Sequence, residues 1–217
     1  MKYPASRLLV FTRAPLAGQV KTRLIPQLGA QGAADFHARL IHRCLETVTR
    51  AALCPVELWC SPSRGEPFFQ ACRERHAMEL HDQALGDLGE RMHAALSSAL
   101  GRAESAVLIG TDIPSLDAAD LDAALQALQQ GRDAVVGPAR DGGYYLIGLK
   151  HANRRLFDQM PWGTPAVFQE TATRLRQFGM DWLRLREHGD VDTPEDFRRL
   201  PESFRIAAGS GNAASSG

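Results

Sequence analysis

The sequence predicts an α/β fold built on a largely parallel sheet. Short apolar runs of strand-forming residues recur along the chain, segments of helical periodicity separate them, and polar, turn-forming loops follow the runs. Arg7 to Thr12 is the first such run, closed by a glycine-containing polar loop. From about Ala30 to Ala52, Ala33, Phe36, Leu40, Cys44, Leu45 and Val48 recur at helical spacing. Val56 to Cys60 alternates like a strand, Phe68 to Arg75 reads as a helix, and Ala77 to Leu80 as a short strand. Leu88, Met92, Leu96 and Leu100 step by four, the signature of an amphipathic helix. Ser105 to Gly110 is a buried strand, and Ala118 to Gln130 a helix. Asp133–Val136 and Tyr144–Leu149 are two strands close together around Asp141-Gly142, which predicts an antiparallel departure from simple β-α-β repetition. A helix over Pro165 to Phe178, an alternating stretch from Trp182 to Arg186 and a helix from Pro194 complete the pattern.

The 217 residues predict one folded unit over 1–206, followed by a small, polar tail, 207–217, with nothing to bury. Basic and acidic residues balance at 25 each, which argues against a general nucleic-acid binder; 44% hydrophobic content argues against disorder. Only three of the basic residues are lysines, which makes Lys21 conspicuous. Cys44, Cys54, Cys60 and Cys72 form no C-x-x-C pair, so they read as reduced, buried thiols of a cytoplasmic protein. The four-residue run Leu8–Phe11 is too short for a signal peptide or a membrane span.

In open α/β sheets ligands bind beyond the carboxyl ends of the strands, so the segments after each strand are where chemistry is expected. The loop after the first strand carries Thr12, Arg13, Gly18, Lys21 and Arg23: cations and backbone N–H groups suited to phosphate, without the glycine spacing of a Walker loop. Asp112 follows an apolar strand and is stopped by Pro114, a placement that suits a hard cation such as Mg²⁺ or Mn²⁺; an Asx turn is the structural alternative. Arg140 and Asp141 sit at a hairpin turn, where Asp-Gly is first a turn signal. Thr164-Pro165 and Thr193-Pro194 read as N-caps followed by proline, the second resembling a capping box with Asp196. Capping leaves Trp162, Asp190 and Asp192 unexplained: Trp162 suits stacking on a sugar or base, and either aspartate suits a second metal carboxylate. A zinc site at His188, Asp190 and Asp192 is a weaker alternative, and no hydrolase motif lies in the folded part.

Together TRAPLAGQVKTRL (12–24), GDLGERM (86–92), GTDIPSL (110–116), GPARDGGYYLIGL (137–149), PWGT (161–164) and DVDTPEDF (190–197) resemble a bacterial GT-A-like glycosyltransferase family. That family was long catalogued as a domain of unknown function and is linked to arsenosugar biosynthesis. The resemblance implies a three-layer α/β/α sandwich with a mixed, mostly parallel sheet, and a divalent metal, Mg²⁺ or Mn²⁺, on Asp112 and Asp192. It implies phosphate contacts from Arg13, Lys21 and Arg23, and base or ribose contacts near Gln83, Asp87 and Leu88. Asp141, Gly142, Gly143, Tyr144 and Trp162 then face the acceptor, with Asp141 the candidate base. The implied partners are a nucleotide-sugar and a small-molecule acceptor, with no nucleic acid and no membrane. Gly110 departs from the Asp-x-Asp of many sugar-nucleotide enzymes. A lone Asp followed by x-Pro resembles the molybdenum-cofactor and phospholactate guanylyltransferases, so transfer from a nucleoside triphosphate, with release of pyrophosphate, is the alternative. A non-catalytic nucleotide-binding protein is the second. The acceptor and the oligomeric state are not legible here.

Overall fold

The computed structural model describes residues 1–206; the expected tail, 207–217, lies outside them. Seven strands form one sheet: β1 (Ser6–Arg13), β2 (Val56–Ser61), β3 (Glu79–Asp82), β4 (Ser105–Ile109), β5 (Ala134–Pro138), β6 (Tyr144–Leu149) and β7 (Trp182–Arg184). Their order is β3-β2-β1-β4-β6-β5-β7. All pairings are parallel except those of β6, which runs antiparallel between β4 and β5. The hairpin expected at Asp141-Gly142 is therefore the device that reverses one strand in a parallel sheet.

The described residues form seven α-helices: α1 (Ile25–Ala51), α2 (Pro67–His76), α3 (Leu88–Leu100), α4 (Ala118–Gln129), α5 (Val167–Gln177), α6 (Pro194–Arg199) and α7 (Glu202–Ile206). Successive strand residues point to opposite faces, so alternation sorts the core into two layers. Leu8, Val10, Leu58, Val107 and Ile109 pack with α1, α2 and α4. Leu9, Phe11, Trp59, Ala106 and Leu108 pack with α3 and α5. The result is the three-layer sandwich. A third cluster, built on Phe36, Leu40, Val191 and Phe197, fastens α6 to α1. Phe36 meets Phe197 edge to face at 5.1 Å. No helix among the described residues is long and apolar enough to cross a membrane.

Element boundaries differ from expectation where local backbone intervenes. α1 starts at Ile25 rather than Ala30 and kinks at Gly29, whose φ is 71°. The second helix ends on Ala77 in a left-handed conformation, which delays β3 to Glu79. Thr164 does not cap α5. That helix begins at Val167, and Thr164 Oγ1 donates instead to the Pro161 carbonyl at 2.8 Å, closing the turn that precedes it. The Thr193–Asp196 capping box of α6 is present in full.

Candidate active site

The carboxyl ends of β1, β2, β4 and β5 converge on a cavity of about 490 Å³, whose walls include Arg13, His37, Asp112, Asp141, Tyr144 and Asp190. A larger cavity, about 770 Å³, lies on the α3/α5 side and is lined by Asp87, Glu90, Arg154, Asp158 and Arg174. Two of its arginines are engaged by carboxylates: Arg154 pairs with Asp158, also in the lining, at 3.0 Å and Arg174 with Glu170 at 2.8 Å. The smaller cavity is the one at the carboxyl edge of the sheet.

Asp112 is the first carboxylate beyond β4, and the Val191 N–H donates to its carbonyl at 3.1 Å. This backbone link joins the β4 loop to the segment that carries Asp190 and Asp192. The Asp112 side chain is 47% exposed, yet its Oδ1 is buried. Lys21 Nζ lies 2.7 Å from that oxygen and 3.5 Å from Asp192 Oδ1, so one ammonium bridges both aspartates. Burial by itself would raise the Asp112 pKa, but Lys21 and His37 outweigh it and hold the carboxyl below its ordinary value. Lys21 is the left-handed residue (φ 46°) that turns the basic loop into a 3₁₀ turn, and its side chain is only 3% exposed. Arg23 points outward and meets Asp192 at 3.1 Å. Among the described residues the cavity walls therefore carry Arg13 and Arg91 as cations, with Lys21 and Arg23 engaged by carboxylates beside them.

Asp141 also lines the cavity; its Oδ1 accepts the Gly143 N–H at 2.8 Å, an Asx turn that shapes the hairpin. Asp190 lines the cavity as well. Burial, then the nearby charges of Asp141 and Asp192, push its pKa up to about 6, against a smaller opposing pull from Lys21. Burial also raises the Tyr144 hydroxyl far above its ordinary value, so it stays protonated. Trp162 packs edge to face on Tyr144 at 6.3 Å. A β-carbon on Gly89 would come within 3.0 Å of the Trp162 ring, so glycine there is what lets the indole settle against α3.

Other expected residues fall differently. Gln83 lines the cavity, but its amide donates to the Thr12 and Trp59 carbonyls at 3.0 and 2.9 Å and locks the ends of β1 and β2 together. Asp87 caps α3 in a capping box with Glu90 and faces the larger cavity. Thr12 is buried, with its hydroxyl 3.2 Å from that of Thr111. Gly18 supplies a positive φ of 79° in the basic loop. Gly142 stands behind the wall that Gly143 forms. His188 does not join a zinc set: Ser115 Oγ lies 2.7 Å from its Nδ1 and Asp120 Oδ2 2.9 Å from its Nε2, so both nitrogens are taken. A different trio, Glu57, Glu79 and His81, brings three potential ligand atoms together. It lies toward the start of β2, and Arg102 already neutralises Glu57 at 3.1 Å.

Sequence reasoning missed His37. It sits on α1 next to the apolar stripe Ala33, Phe36 and Leu40, so it reads as a core histidine; only the packing of α1 brings its ring to Asp112, with 3.7 Å between Nδ1 and Oδ1.

A mixed sheet sandwiched by helices, with a carboxylate and cations at its carboxyl edge, is the nucleotide-diphospho-sugar transferase fold. Residues 44–164 match the family described as "Uncharacterized protein conserved in bacteria (DUF2064)". The chain belongs to that family. A candidate nucleotide-diphospho-sugar transferase from Desulfovibrio desulfuricans G20 is 30% identical, over 94% of this chain and 93% of its own, with a TM-score of 0.81. Fold alone is shared with a manganese complex of Rv0371c from Mycobacterium tuberculosis H37Rv, at 16% identity, 92% and 99% coverage and a TM-score of 0.56. The same holds for 4-diphosphocytidyl-2C-methyl-D-erythritol synthase from Anaerococcus prevotii DSM 20548, at 11% identity, 89% and 94% coverage and a TM-score of 0.57. No curated protein matches the sequence.

Proposed function

We propose that residues 1–206 act in the cytoplasm as a metal-dependent glycosyltransferase, moving a sugar from a nucleotide-sugar to a small-molecule acceptor. The observation that carries this reading is the meeting of Asp112, Asp192 and Lys21 at the mouth of a cavity that also holds Asp141 and Arg13. The 30% identical relative supports the donor class.

The residues present fit a divalent cation. Asp112 Oδ1 is a buried carboxylate oxygen held by the Lys21 ammonium at 2.7 Å, and Asp192 Oδ1, 3.5 Å from the same ammonium, offers a second hard oxygen, so the pair already binds a cationic group. Bound there, Mg²⁺ or Mn²⁺ would neutralise charge on the donor phosphates as the nucleoside diphosphate departs. Arg13 faces the same space, and Lys21 and Arg23 are close enough to add their charge, so developing negative charge meets fixed positive charge in a partly enclosed site. Gln83 lines the cavity on the side proposed for the nucleotide, whereas Asp87 faces the larger cavity. Asp141, held by its Asx turn, accepts the proton of the attacking hydroxyl, while Gly143, Tyr144 and Trp162 shape the acceptor wall.

One observation favours a second reading, nucleotidyl transfer. Gly110 lines the cavity in place of a first acidic residue, and a β-carbon there would meet nothing within 4 Å. The β4 end thus offers one carboxylate and open space, compatible with a triphosphate.

Thermal shift with matched nucleotide-sugars and nucleoside triphosphates, with and without Mn²⁺, tests both. A ligand at about 100 times its Kd adds about 2.7 kcal/mol, a shift of roughly 5–11 °C for a domain this size. A metal-dependent shift with a nucleotide-sugar, lost in Asp112→Ala, upholds glycosyl transfer. A larger shift with a triphosphate transfers support to the second reading. No shift with either class refutes both.

A further inference from the structure

We propose that Arg91, together with Arg13, binds phosphate oxygens of the nucleotide, and that Gln83 is the positioning residue that orients it. This rests on the nucleotide-donor reading above. Arg91 stands one turn into α3, in the GDLGERM stretch (86–92), and both arginines line the cavity at the carboxyl edge of the sheet. The cations of the neighbouring loop are taken: Lys21 by Asp112 at 2.7 Å and Arg23 by Asp192 at 3.1 Å. Arg13 and Arg91 are different. Asp112, Asp141 and Asp190 line the same cavity, yet among the described residues neither arginine forms an ion pair with a carboxylate.

The two guanidiniums act on each other. Burial and then the charge of Arg13 lower the Arg91 pKa, while the Asp87 carboxylate pulls the other way more weakly. An arginine stays protonated regardless, so two positive charges share one partly enclosed space. A bound anion relieves that repulsion and gains charge-assisted hydrogen bonds. A ribose hydroxyl or a base edge is neutral and does neither. The diphosphate of a nucleotide carries the matching charge, and its paired oxygens suit the planar fork of a guanidinium.

The contacts behind Arg91 begin at the sheet. Gln83 Nε2 lies 3.0 Å from the Thr12 carbonyl and 2.9 Å from that of Trp59. Carbonyls only accept, so the amide nitrogen faces them and the amide oxygen is left for Arg91, whose Nη1 donates to it at 3.2 Å. Arg91 Nε donates to the Asp87 carbonyl, also at 3.2 Å. Two bonds thus fix the plane of the guanidinium, while Nη2 bonds no described residue. A side chain ordered before its ligand arrives loses less entropy on binding. The ends of β1 and β2 therefore orient Gln83, and Gln83 orients Arg91.

The test is calorimetric titration of the full chain, with Mg²⁺, using two probes: pyrophosphate, and the nucleoside diphosphate that binds most tightly. Arg91→Met should weaken both by about tenfold or more with its Tm little changed, and Arg91→Lys, which keeps the charge without the fork, should fall between. Gln83→Met should weaken pyrophosphate in the wild type but not further in the Arg91→Met background; a merely structural loss would act equally in both. A folded Arg91→Met that binds the diphosphate as the wild type does overturns the proposal and leaves the nucleotide-donor reading standing. So does a loss confined to the nucleotide, with pyrophosphate affinity unchanged or undetectable in the wild type, because Arg91 then serves the base or ribose. Additive losses for Gln83 and Arg91 overturn the positioning role. No nucleotide binding by the wild type overturns both the proposal and the reading beneath it.

Discussion

Replacing Gly142 by alanine is a sharp test of how the candidate site is built. Gly142 has φ 88°, and a β-carbon there would lie 2.2, 2.4 and 2.6 Å from the carbonyl oxygen, Cα and carbonyl carbon of Pro165. These are backbone atoms, so no rotamer change relieves the clash. The left-handed backbone costs an alanine about 1 kcal/mol, and forcing atoms into packed space typically costs ~1–3 more. Separation of the two segments also endangers the Phe168 N–H bond to the Gly142 carbonyl, 2.8 Å, worth about 1 kcal/mol. The expected loss is about 3–5 kcal/mol, or a Tm lower by roughly 6–20 °C for a domain of this length. Gly143→Ala is the internal control. There the added carbon meets the Asp141 Oδ1 at 3.1 Å, the end of a side chain that can move, and φ is outside the left-handed region. Its Tm should fall by no more than about 3 °C. Calorimetry on both variants decides the matter: equal, small shifts would refute the claim that the β5–β6 hairpin is wedged against the start of α5.

Two further outcomes follow from burial and charge. Burial holds the thiols of Cys44, Cys54 and Cys60 up at about 12 and that of Cys72 at about 11, so none should react with a thiol reagent in the native protein at pH 8, while all four react after denaturation. The unfolded chain releases these protons near pH 9, so stability should fall as pH rises above that value; urea midpoints that are flat from pH 8 to 10.5 would contradict this. Asp120→Asn should cost about 2–4 kcal/mol, because a buried carboxylate that accepts from Arg186 at 2.6 and 2.9 Å and faces His188 Nε2 at 2.9 Å becomes neutral. Burial works to raise the Asp120 pKa, but Arg186, the Asp117 N–H and His188 outweigh it and lower it. Its contribution is therefore present above about pH 4 and lost as pH falls below, so the variant should lose less stability on acidification than wild type.

The elements of this fold are set by information local to the chain. Apolar runs announced β1 and β4, alternation announced β2, and four-residue steps announced α3, whose Met92 and Leu96 are buried while Leu88 is exposed. Local chemistry also announced the capping box at Thr193 and the turn at Asp141-Gly142. Asp112 was legible for the same reason: it is the carboxylate at the end of an apolar strand.

What the sequence could not determine are relations between segments far apart along it. Lys21 and Asp192 are separated by 171 residues, and nothing in either neighbourhood says that one ammonium bridges Asp192 and Asp112. His37 looks like core on its own helix, and becomes a site residue only because α1 packs beside the ends of β1 and β4. The resemblance pointed to Gln83 and Asp87, but only the structure shows that the Gln83 amide ties two strand ends together and that Asp87 caps α3. Periodicity and capping act over a few residues, so sequence alone determined the elements. Electrostatic pairing acts through space, so only the tertiary structure decided which charges meet.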